Sequence, residues 1–82
     1  MKECLIIMSK SESYWTGSVE KFESPWGGES LFSFSSVSPF LVMREIRSFL
    51  SRNKELMVVR MIRNGNPRLL GYYARSLNMK TG

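Results

Sequence analysis

Only one stretch of this chain carries a helical repeat, and the segments on both sides of it alternate or run apolar in the manner of strands. That combination confines the fold to a sheet with one helix laid on it. Residues 38–52 read Ser-Pro-Phe-Leu-Val-Met-Arg-Glu-Ile-Arg-Ser-Phe-Leu-Ser-Arg. Ser38 is suited to accept from the free N–H groups of a first turn, and Pro39 fits the first helical position, where no N–H is needed. Val42, Met43, Ile46, Phe49 and Leu50 recur every three or four residues and form one apolar stripe, with Arg44, Arg47, Ser48 and Ser51 opposite. Asn53 is expected to end the helix in the left-handed conformation, with Arg52 near the negative end of the helix dipole.

The flanking segments have a different period. Residues 2–8 are an apolar run bounded by charge, as in a strand buried on both faces. Residues 14–22 place Trp15, Gly17 and Val19 on one side and Tyr14, Thr16, Ser18 and Glu20 on the other; Gly17 marks either a bulge or a close approach. Residues 23–29 form a loop by virtue of Pro25, Gly27 and Gly28. Trp26 at its tip is either a binding anchor or a lid folded back on the core. The Gly pair is too short to cradle a phosphate, and no Gly-Lys-Ser/Thr follows it. Residues 30–36 set Phe32 and Phe34 against Ser33 and Ser35, and pair with residues 14–22. Residues 55–63 alternate again, and Asn64-Gly65 is a strong hairpin signal leading into a last strand at 68–75. Met57, Val59 and Met61, with Leu70, Tyr72 and Ala74, form the set expected to face the helix.

The expected fold is therefore α+β: a small single domain over residues 1–76, an antiparallel sheet of about five strands with one helix packed on it, in the chain order β-β-β-α-β-β. Residues 77–82 are expected to fray. A chain of 82 residues suffices for one core but not two. Its 43% apolar content is that of a globular protein. No apolar run approaches the roughly 20 residues that span a bilayer, and no secretory leader is recognisable. With a single cysteine, Cys4, the expectation is a cytoplasmic protein with a reduced thiol, buried in its strand.

The composition removes most catalytic chemistry. There is no His, Asp or Gln, so a Ser/His/Asp or Cys/His arrangement cannot be built within one chain, and a metal site would need one Cys and scattered Glu. No enzymatic activity, metal or cofactor is expected. Charge is unevenly placed. Residues 1–42 hold three Lys against five Glu, a balance of −2, whereas residues 43–82 hold seven Arg and two Lys against two Glu, a balance of +7.

Such asymmetry points to an anionic partner. The guanidinium fork suits phosphate, carboxylate and base edges. The residues expected to bind are Arg44 and Arg47 on the helix, Arg60, Arg63, Arg68 and Arg75 on the last hairpin, Tyr73 beside them, and Trp26. The function expected is that of a small non-enzymatic binding protein whose basic C-terminal half contacts nucleic acid or a nucleoprotein. The alternative is an inhibitor or adaptor that docks on an acidic protein surface of an enzyme or ribonucleoprotein complex. In size and lack of catalytic residues the chain resembles, in type, the small anti-defence regulators of phages and mobile elements. A homodimer paired through the last strand is a third option.

Overall fold

A computed structural model describes residues 2–64, together with the backbone of Asn66 and Pro67. Strands β1 (Lys2–Ser11), β2 (Tyr14–Lys21) and β3 (Ser30–Ser36) form a meander. Helix α1 (Pro39–Arg52) follows, then β4 (Leu56–Arg63) and the two-residue β5 (Asn66–Pro67). Across the sheet the order is β3-β2-β1-β4-β5. β1 is thus central, and the chain crosses from one side of the sheet to the other through α1.

Among the described residues this is a small α+β fold with one helix, as expected, but the sheet is mixed. β1 runs antiparallel to β2 and parallel to β4, with Cys4 opposite Val58 and Ile7 opposite Ile62. The reason is connective: β3 and β4 are joined by a helical crossover, which returns the chain in the same direction instead of reversing it. The uninterrupted apolar run of β1 fits this central place, since Leu5 is fully buried on one face while Cys4, Ile6 and Met8 are buried on the other. Of the last hairpin, the described residues contain only the pairing of Ile62 with Pro67 and Arg63 with Asn66. The strand expected at 68–75 and the tail at 77–82 lie outside the described residues.

α1 covers one sheet face. Ser38 accepts a hydrogen bond from the Leu41 N–H at 3.4 Å, and Pro39 occupies the first turn. Val42 and Ile46 are buried against Cys4, Ile6, Met8, Val19, Val58 and Met61, while Met43, Phe49 and Leu50 pack around them. Phe49 stacks on Phe32 with centroids 4.8 Å apart and planes 16° from parallel. Gly17 is the place of closest approach: a Cβ there would collide with Val42 Cγ1 and lie 2.7 Å from Ile46 Cδ1. The glycine is thus required by the seating of the helix.

Two local expectations are corrected. Asn53 does not adopt the left-handed conformation; its φ is −131°. It closes the helix through its N–H to Leu50 O at 3.1 Å and its Nδ2 to Phe49 O at 2.8 Å, so the side-chain amide does the work that a left-handed turn would have done. In β4 the register shifts between Val58 and Arg60. The extra residue, Val59, resets the alternation. Leu56, Val58 and Met61 therefore meet the helix side of the core, and Met57 and Val59 do not.

Candidate functional site

The sheet face away from α1 is built from the alternate residues of each strand. Register carries one row from Arg60 through Leu5 to Glu20, a second from Ile62 through Ile7 and Ser18 to Ser33, and a third from Ser9 through Thr16 to Ser35. Tyr14, two positions before Thr16, lies at the end of this face and is 44% exposed. Thr16 Oγ1 and Ser35 Oγ are 2.9 Å apart. Beyond the buried Leu5 and Ile62 and the half-buried Ile7, the face is mostly hydroxyl.

Onto it folds the connection between β2 and β3. Ser24 and Gly27 exchange backbone hydrogen bonds of 3.0 and 3.2 Å, leaving Pro25 and Trp26 as a two-residue tip. The Ser24 hydroxyl accepts from the Trp26 N–H at 3.2 Å and donates to the Gly27 carbonyl at 3.1 Å. Gly27 has a φ of +136°, a conformation that favours glycine. Its Cα presses on the sheet, so that an added Cβ would reach Ile7 Cδ1 at 3.4 Å and collide with the Glu20 carboxylate.

Three acidic side chains hold the loop down. Glu20 Oε1 accepts from the Gly28 N–H at 3.1 Å, while its Oε2 accepts from the Ser18 hydroxyl at 3.1 Å. Glu23 Oε1 accepts from the Glu29 N–H at 2.7 Å. Glu29 pairs with Lys21 Nζ at 2.7 Å, which lowers the Glu29 pKa and raises that of Lys21, in each case mainly through their hydrogen bond. Trp26 is thus presented on a pinned turn and remains 59% exposed. The Arg60 guanidinium approaches its ring at 6.0 Å from the centroid, within cation–π range.

A second surface lies on the other side of the molecule. Phe40, Arg44, Arg47 and Ser51 follow one another along the outward row of α1, where Phe40 is 83% exposed. Val37, 76% exposed, and Leu41 extend its apolar end. Arg44 reaches Glu45 only at 3.9 Å.

The expected binding residues therefore do not form one patch. Arg44 and Arg47 point outward from the helix, whereas Arg60 lies on the opposite face of the sheet beside Trp26. Arg63, three positions on, returns to the helix side and stands 5.0 Å from the ring of the half-buried Trp15. Arg68, Tyr73 and Arg75 lie outside the described residues. Tyr14 and the hydroxyl rows were not among the residues expected to bind, although the alternation of residues 14–20 already places Tyr14, Thr16, Ser18 and Glu20 together.

A separate cleft of about 620 Å³ opens near the end of α1, with Phe22, Leu31, Phe49 and Leu56 in its lining and Lys2 and Glu55 of opposite charge beside them. Among the described residues no cluster of three Cys, Asp or Glu could hold a metal ion. No described helix is long and apolar enough to cross a membrane. Cys4 is buried, and desolvation raises its thiol pKa to about 11, so it is not a poised nucleophile. No protein-family model, curated protein or solved structure matches the chain.

Proposed function

We propose that this is a small non-enzymatic binding protein of the cytoplasm whose arginines contact nucleic acid. One observation carries the reading: among the described residues the arginines other than Arg44 make no ion pair with a described carboxylate. Arg60 and Arg63 lie over tryptophan rings, and Arg52 donates to the Ser48 hydroxyl at 2.6 Å. The one arginine near a carboxylate, Arg44, keeps a 3.9 Å separation, and the tighter ion pair of the described residues is made by Lys21. Their charge is left for a partner, and guanidinium groups next to aromatic rings suit both phosphates and bases.

Binding of a labelled 20-base strand and of a duplex, followed by anisotropy, tests the proposal. Affinity should fall steeply from low to moderate salt, and Arg47→Ala combined with Arg60→Ala should flatten the slope. Absence of binding to either probe at low salt would refute it.

The exposed Val37, Phe40 and Leu41 beside Arg44 and Arg47 favour a second reading, an inhibitor or adaptor docked on an acidic protein surface. An apolar anchor flanked by arginine is the usual composition of an interface centre. A partner retained after nuclease treatment and lost with Phe40→Ser would support it.

A further inference from the structure

The sheet face away from α1 has the parts of a base-stacking platform, and we propose that it binds the unpaired bases of single-stranded nucleic acid, with Trp26 taking a base on the face of its indole opposite the overlying Arg60. The inference rests on the nucleic-acid reading above and names the substrate form and the place.

Four features support it. Trp26 is exposed but not loose: the Ser24–Gly27 bridge and the Glu20 and Glu23 carboxylates fix its turn, so little freedom is lost when a ligand lands on the ring. Arg60 places positive charge at 6.0 Å from the ring centre, where a phosphate next to a stacked base would pass. The carboxylate of this row, Glu20, has a donor on each oxygen, Gly28 N–H and Ser18 Oγ, and is committed to holding the turn. From there the hydroxyls of Ser18, Ser33, Thr16 and Ser35 lead to the exposed Tyr14, a second aromatic ring on the same face. Residues 14–20 of β2 span about 20 Å at the usual strand rise, room for a short run of nucleotides between the two rings. A duplex hides its base faces and cannot use such a platform, whereas every unpaired base offers one.

The experiment compares four probes of equal length: oligo(dT), oligo(U), an abasic strand with the same number of phosphates, and a duplex. Binding is read by anisotropy at two salt concentrations. Unpaired strands should bind about tenfold more tightly than the abasic strand, consistent with stacking free energies measured at such sites. Trp26→Ala should remove most of that advantage while Trp26→Phe keeps part of it, and Arg60→Lys should weaken unpaired strands more than the abasic one. In a Trp15→Phe protein, whose one remaining tryptophan is Trp26, oligo(dT) should quench the fluorescence. The oligo(dT) and oligo(U) arms tell DNA from RNA. Equal affinity for abasic and unpaired strands, or an unaltered advantage in Trp26→Ala, would overturn the stacking site and leave a purely electrostatic binder. Failure of all four probes to bind at low salt would overturn the nucleic-acid reading with it.

Discussion

Two tryptophan–arginine pairs stand on opposite faces of the same sheet, and their surroundings differ. Trp15 with Arg63, 5.0 Å apart, lies on the side that α1 covers, where Trp15 packs against the core. Trp26 with Arg60, 6.0 Å apart, lies on the other side, where the indole is 59% exposed. The residue types are the same, so chemistry alone does not separate them. The Val59 bulge does: Val58 faces the core, and regular alternation would have sent Arg60 the same way. One additional residue in β4 thus turns one guanidinium away from the helix and brings the other onto its side. The same pairing of ring and guanidinium is packed against the core on one face and open to solvent on the other.

The largest test of this contrast is Gly17→Val. On the covered face the new side chain enters the space of Val42 and Ile46. It should cost about 3 kcal/mol, as overpacked cores do, whereas Ser33→Val on the other face should cost little, both read from urea unfolding midpoints. Trp15→Ala comes next, with a loss of about 2–3 kcal/mol for a half-buried ring.

Cys4 offers a test by titration. Its thiol ionises near 9.0 when exposed and at about 11 in the folded protein. Between these values the unfolded chain releases the proton first, so stability should fall as pH rises through that window. Cys4→Ala should reduce the slope, and alkylation at pH 8.5 should await unfolding. The smallest effect is expected for Trp26→Ala, a loss below about 0.5 kcal/mol, because its turn is held by Ser24, Glu20 and Glu23. A loss as large as that of Trp15→Ala would show that both pairs are structural.

Much of the covered face is legible in the sequence. The stripe from Val42 to Leu50, the Ser38 cap, and the alternation of Trp15, Gly17 and Val19 against Phe32 and Phe34 are local patterns, and the packing follows them. What escapes is non-local. The apolar run from Cys4 to Met8 suits a central strand but does not say whether its neighbour runs parallel. The Val59 bulge leaves no mark among Met57, Val58 and Val59, which are equally apolar. The exposure of Trp26 depends on carboxylates before the loop closing on N–H groups after it, Glu20 on Gly28 and Glu23 on Glu29. Arg60 and Arg63 read as one basic ribbon only until β4 is placed beside β1.

The parallel pairing of β1 with β4 also bears on the order in which the chain can assemble. Lys10 and Asn64, at the closing end of that pair, are 54 positions apart, whereas both hairpins of the meander form locally. At synthesis rates of about 5–20 residues per second, several seconds separate β1 from its last neighbour. During that interval the central strand of the sheet has one edge without a partner, so the interval before β4 arrives is when association with another chain competes with folding.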